Sequence, residues 1–245
     1  MNKKAITASA ALLAFTAFLA VASPASAVQL TYPTGTKLPI GGNLLFTNVG
    51  SVLFRGPTSE VQECPKSTMT GTLPRNGPED ITAEITSWAL KGTGREEMCT
   101  LPPLTNATYM KVTTDYEASG KKVGLPYCLT TTAGTDKWVM RGGSCSSASR
   151  PIKFKLDFYN EDEKETLIFV GTCAYEKANI NGTFTTDTGS VQDALLTFNQ
   201  EEPFKRIEVS TILLSSTVCR ETMELITTFT METDTTSASD PIYIS

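Results

Sequence analysis

The sequence predicts an all-β protein: an antiparallel β-sandwich stapled by three disulfides, with little helix after the first 27 residues. Three observations predict it. Apolar side chains recur at every second position through most of the chain. Six cysteines stand in a chain whose N-terminus reads as an export signal. Turn residues punctuate the apolar runs at short intervals, and no long amphipathic helix lies between them.

The alternation is clearest where Ile152, Phe154, Leu156 and Phe158 are interleaved with Lys153, Lys155 and Asp157, the pattern of a strand with one buried and one wet face. Asn160-Glu161-Asp162-Glu163 then reads as a polar turn, and the run from Thr166 to Tyr175 as the returning strand, with Leu167, Phe169 and Cys173 on its inner face. Ile81, Ala83 and Ile85 alternate with Thr82, Glu84 and Thr86, and Met110 and Val112 with their polar neighbours. Ile207 and Val209 alternate ahead of Ile212-Leu213-Leu214, and Met223, Leu225, Thr227, Phe229 and Met231 share a face. Threonine is abundant, and β-branched side chains suit a pleated surface. Val191 to Phe198 reads either as a helical turn or as a strand. Turns are expected at Gly41-Gly42, at Leu73-Pro74-Arg75-Asn76-Gly77, at Ala133-Gly134-Thr135, at Gly142-Gly143 and at Asn181-Gly182. No fixed-period repeat is visible. The Ser/Gly stretch 142–149 divides the chain near residue 148 if there are two β-domains. Its Cys145 argues that the stretch is stapled down, which favours one large sandwich over residues 28–245.

Lys3 and Lys4, an apolar run from Ala8 to Val21, Pro24 and the triplet Ala25-Ser26-Ala27 follow the order of a secretory signal peptide, removed after Ala27. The run is shorter than the roughly 20 apolar residues a membrane span needs. Losing the two lysines takes the net charge from −5 to −7. An acidic chain is a poor partner for nucleic acid or anionic lipid. Histidine is absent, which removes Ser-His-Asp and Cys-His machinery and His-liganded metals.

Cys64, Cys99, Cys128, Cys145, Cys173 and Cys219 are even in number, and an exported chain oxidises them. No pair has the C-x-x-C spacing of a thiolate metal site. Of the 15 connectivities open to six cysteines, pairing between neighbours is expected: Cys64–Cys99, Cys128–Cys145 and Cys173–Cys219. If the strand begun at Ile207 runs on without a bulge, counting by twos brings Cys219 onto the inner face with Cys173.

The chemical motifs are weak. Asp187-Thr188-Gly189-Ser190 spells an aspartic-protease motif, but Thr185-Thr186 precede it where that chemistry needs an apolar strand. The second aspartate would have to come from Asp234-Thr235-Thr236-Ser237 or from another chain, and a β-turn is the simpler reading. Ser119-Gly120-Lys121-Lys122 matches S-x-x-K, yet Gly120 and paired lysines suit a hairpin tip better than a buried helix. Residues 160–165 form an acidic cluster without the spacing of a calcium loop, as a solvated turn would. Asn106-Ala107-Thr108 and Asn181-Gly182-Thr183 are sequons. Trp88 and Trp138 are core residues or, if exposed, platforms for sugar rings.

Trp138 through Cys145, Gly171-Thr172-Cys173-Ala174-Tyr175, and Cys219 with the strand and Pro241-Ile242-Tyr243-Ile244 end that follow it resemble a set of exported proteins from actinobacterial lineages. Those share a signal peptide, paired cysteines and a β-sandwich. The resemblance implies the same compartment and fold, and no activity, cofactor or site residue. The expectation is a non-catalytic interaction or structural module of the extracellular space or cell envelope, without a cofactor and with a ligand yet to be named. A carboxylate-based hydrolase is the alternative, with Asp187 or Glu117 facing a second acid beside Trp138, and a small-ligand carrier is a third reading.

Overall fold

The computed structural model describes residues 29–56, 61–77, 80–101, 107–118, 121–122, 124–131, 136–186, 194–199, 203–211, 219–233 and 240–244. The signal segment, the Asp187 and Asp234 motifs, Asn106, and the stretch 212–218 that would carry the parity count to Cys219 lie outside them.

The described chain is all-β and antiparallel, with one short 3-10 turn at Arg95–Glu97. Its strands are β1 (Leu30–Thr31), β2 (Asn43–Arg55), β3 (Val61–Cys64), β4 (Lys66–Asn76), β5 (Ile81–Lys91), β6 (Cys99–Thr100), β7 (Tyr109–Thr113), β8 (Glu117–Ala118), β9 (Lys121–Lys122) and β10 (Tyr127–Thr131). They continue as β11 (Lys137–Gly142), β12 (Ile152–Glu161), β13 (Leu167–Lys177), β14 (Ile180–Thr186), β15 (Ala194–Asn199), β16 (Phe204–Thr211), β17 (Thr222–Thr233), β18 (Asp240–Pro241) and β19 (Tyr243–Ile244). The period-two pattern holds in the strands that position the core. Ile152, Phe154, Leu156 and Phe158 are fully buried, as are Ile81, Ala83 and Ile85, and β17 buries every second residue from Met223 to Thr233.

The ladders close on themselves. β2 and β17 pair along their length, and from this shared pair two eight-stranded circuits run. One passes β2-β4-β5-β10-β11-β14-β15-β17, the other β2-β3-β6-β7-β12-β13-β16-β17. Closure removes the open edges that invite aggregation. Opposite walls pack face to face as the layers of a sandwich do: Phe54 of β2 meets Phe154 of β12 with ring centroids 6.4 Å apart. Trp88 of β5 lies 5.2 Å from Phe154 and 6.2 Å from Tyr127, so the cores of the two circuits are continuous.

The strand order also has an internal two-fold repeat that no sequence period announces. Exchanging β2 with the successive strands β11 and β12, β3–β6 with β13–β16, and the strands β7 and β10 with β17 maps each circuit onto itself. Met69-Thr70-Gly71-Thr72-Leu73 and Ile180-Asn181-Gly182-Thr183-Phe184 occupy equivalent places on β4 and β14. Each circuit takes strands from both sides of residue 148. Three bridges join neighbours in sequence. Cys64–Cys99 ties β3 to β6, and Cys173–Cys219 is its counterpart, tying β13 to the chain beyond β16, with Cα separations of 4.9 and 5.9 Å. Cys128–Cys145 has no counterpart in the other unit.

Several local expectations are corrected. Phe158 pairs with Gly171 and Tyr159 with Phe169, so Val170 is an extra residue on β13. This bulge reverses the strand's parity. Cys173 is buried as expected, but Phe169 is 41% exposed and Val170 takes the inner place. Ile207 is likewise an extra residue on β16, and Ile207 and Val209 are 43% and 46% exposed because β16 keeps β17 as a neighbour only at Phe204–Lys205. Leu73 to Asn76 is strand, not turn: Leu73 is core, and the Asn76 amide donates to the carbonyls of Leu30 and Leu38 and accepts from the Leu30 N–H. Asn181-Gly182 is mid-strand in β14 because the Phe198 ring packs where a Cβ would stand. Ala194–Asn199 settles as a strand.

Candidate functional site

The motifs weighed in the sequence do not meet in one place. Glu117–Ala118 and Lys121–Lys122 form a hairpin, with Ser119 and Gly120 outside the described residues. The acidic cluster is the turn between β12 and β13, where the Asp162 carboxylate accepts the Lys164 and Thr166 N–H groups at 2.9 and 2.7 Å and Arg95 pairs with Glu161. Among the described residues no group of His, Cys, Asp and Glu could hold a metal. Trp138 is 1% and Trp88 5% exposed, so both are core and neither is a platform for sugar rings.

The unit comparison leads elsewhere. β2 and β17 run past each other unbroken, eased by a bulge at Gly50 (φ +77°) and an irregularity between Ile226 and Thr228. Their counterparts are interrupted. The hairpin-bearing stretch 114–126 separates β7 from β10, and a serine-rich loop, 143–151, separates β11 from β12. These two departures from the repeat lie against each other: the Gly143 N–H donates to the Pro126 carbonyl at 2.9 Å, and Arg150 donates to the Gly124 carbonyl. These loops stand on a closed scaffold of paired strands, and loops positioned by a rigid scaffold are where binding residues concentrate.

The serine loop is held at every turn. Gly143 leaves β11 at φ +112°, a backbone conformation that favours glycine. Gly142 and Arg150 exchange both N–H···O bonds at 2.9 Å, closing the loop's neck. Cys145 is bridged to Cys128 of β10, and its N–H donates to the Glu84 carboxylate of β5 at 2.7 Å. In the ladders Cys128 stands opposite Arg141 on one side and Glu84 on the other, so three outward positions on adjacent strands carry the loop. Beneath them Tyr127 points inward, its hydroxyl 3.0 Å from both the Thr114 and Lys153 carbonyl oxygens, and burial pushes its phenol pKa upward.

The result is a cleft of about 470 Å³ lined by Thr130, Arg141, Ser146, Ser147 and Ser149 over the Cys128–Cys145 bridge. Ser144 Oγ lies 2.9 Å from Ser146 Oγ and 3.0 Å from Ser147 Oγ, a cluster of hydroxyls that can each donate and accept. The exposed Arg141 guanidinium makes no hydrogen bond or ion pair with a described residue. Ser149 also lines a second cleft of about 510 Å³, with Pro151, Glu176, Lys177, Asn179 and Lys205. Sequence reasoning recognised stretch 142–149 as stapled down, which the bridge confirms. It missed Arg141, Glu84 and the serines as a site. The available signal was a lone arginine four residues before a cysteine that is flanked by four serines, Ser144, Ser146, Ser147 and Ser149.

The chain matches no family model, no curated protein and no solved structure.

Proposed function

We propose that this is an exported, non-catalytic β-protein, an interaction module of the extracellular space or cell envelope, that binds its ligand in the serine-loop cleft. Export is supported by the N-terminal pattern Lys3-Lys4, apolar run and Ala25-Ser26-Ala27, and by three disulfides, which belong in an oxidising compartment. Binding is supported above all by one observation: a loop fixed by a bridge, a paired neck and a buttressing carboxylate lies beside a hydroxyl cluster and an exposed guanidinium that has no partner among the described residues. Groups held in place before the ligand arrives lose little entropy on binding, which is what a recognition surface needs. A sequence without histidine has few routes to acid–base catalysis near neutral pH.

The test is a screen of purified residues 28–245 against glycans, lipids and cell-wall fragments, with Ser146→Trp in parallel. Ser146 is exposed on the loop, so an indole there fills the cleft without entering the core. The expected outcome is a ligand bound by the wild type and lost in the variant. A ligand bound equally by both, or a substrate turned over, overturns the proposal.

A further inference from the structure

Resting on the reading of the serine-loop cleft as the binding surface, we infer that the ligand is an acidic saccharide chain, held one per protein along the two clefts that share Ser149. Three observations carry this. The first is charge. The chain is acidic overall, yet the exposed Arg141 and Lys205 line the paired clefts, whose described lining carries one carboxylate, Glu176, paired with Lys153 at 3.0 Å, while Glu84 behind the loop is engaged by the Cys145 N–H at 2.7 Å. A basic strip on an acidic surface concentrates anions locally and repels them elsewhere. The second is the lining between the charges. Thr130, Ser146, Ser147, Ser149 and Asn179 both donate and accept, which suits sugar hydroxyls. Among the described lining residues there is no aromatic side chain, so recognition rests on hydrogen bonds and charge rather than on stacking, which a polyhydroxylated chain supplies more fully than nucleobases do. The third is extent. Two clefts of about 470 and 510 Å³ stand on either side of Ser149, which lines both, and each exceeds what a single monosaccharide fills. The counterpart of the serine loop in the other unit is only the bulge at Gly50, so the repeat supplies no second copy of the site.

The experiment is calorimetric titration of residues 28–245 with the α-1,4-linked galacturonate hexamer, with the same hexamer fully methyl-esterified, and with an oligothymidylate, at low and high salt. The expected result is one-to-one binding of the acid, weakened by salt, and loss of binding when its carboxylates are esterified. Arg141→Gln and Lys205→Gln, both exposed, should each weaken binding about two- to fivefold, the range of exposed ion pairs. Ser146→Trp should abolish it. Acid and ester bound equally, both lost in Ser146→Trp, would overturn the charge inference while leaving the cleft as a binding site. Binding of the acid untouched by Ser146→Trp would overturn both readings. Failure of the acid to bind at millimolar concentration, a stoichiometry of two, or tighter binding of the oligothymidylate would overturn the acidic-saccharide assignment.

Discussion

Replacing Phe154 with alanine should destabilise both circuits at once. Phe154 is fully buried on β12, and its ring touches three others: Trp88 at 5.2 Å, Phe204 at 5.1 Å and Phe54 at 6.4 Å between centroids. Phe204 sits on β16, Phe54 on the shared strand β2, and Trp88 on β5 in the other circuit. Truncating a buried phenylalanine costs about 3–5 kcal/mol in transfer and cavity terms. For a chain of this size each kcal/mol moves the melting temperature by roughly 2–4 °C, so the variant should melt about 6–20 °C lower. Urea unfolding followed by tryptophan fluorescence measures it. Trp88 reports from beside Phe154, and Trp138, next to Phe184 at 5.6 Å, reports from the far part of the first circuit. With Trp88→Phe or Trp138→Phe leaving one reporter at a time, both should show one midpoint, displaced together by Phe154→Ala. A double-mutant cycle between Trp88→Leu and Phe154→Leu should return a coupling of about 0.5–1.5 kcal/mol. Two separated transitions, a loss under about 1 kcal/mol, or no coupling would refute a core shared between the circuits.

Two further outcomes follow from the same structure. The double variant Cys128→Ser/Cys145→Ser opens a bridge of sequence separation 17, worth about 3 kcal/mol in the chain-entropy model, and should also free the serine loop to proteolysis. Urea denaturation and limited digestion check both, and an unchanged midpoint with an uncut loop would refute the bridge's role. Burial pushes the Tyr175 phenol up to about 12, against the pull of Arg206 and Arg220, and its hydroxyl donates to the Arg220 carbonyl at 2.9 Å. Tyrosine in the unfolded chain ionises near ~10, so this stability is complete below ~10 and is lost as pH rises through about 12. Tyr127, raised in the same direction, adds to the effect. Tyrosinate absorbance should show these two phenols ionising only as the near-UV circular dichroism collapses. Ionisation of every tyrosine near ~10 in a still-folded chain would contradict it.

Much of the strand content was legible because alternation is a local property. Ile152 to Phe158 and Met223 to Met231 declare their buried faces residue by residue, and the structure keeps them. Where reading failed, a single extra residue intervened. Val170 on β13 and Ile207 on β16 are each an extra residue in the ladder, and nothing in the composition of either run announces it; Val209 still stands opposite the buried Cys173 and is exposed because β16 has left β17 by then. Glycine misled in the opposite direction. Asn181-Gly182 has turn chemistry, but Gly182 is there because the Phe198 ring occupies the Cβ position, and Gly71 because the Glu84 carbonyl does. Both are facts about a neighbouring strand. The candidate site was illegible for the same reason: Glu84, Cys128, Arg141 and Cys145 lie up to 61 positions apart and become neighbours only when β5, β10 and β11 pair.

By itself the sequence determined that the chain is all-β and antiparallel and which face most strands bury; neighbour pairing of the cysteines was one expectation among 15 connectivities, and the structure selected it. Side-chain period and short-range loop closure depend on residues close in the chain, so they survive without coordinates. The tertiary structure alone decided that the ladders close into two circuits sharing β2 and β17, that the strand order repeats within each circuit, and that one half of the repeat carries a stapled serine loop beside the exposed Arg141. Each of these depends on which strand lies beside which. Strand partners are chosen by the summed fit of distant surfaces, and a strand's own residues state which face wants burial without naming the neighbour that supplies it.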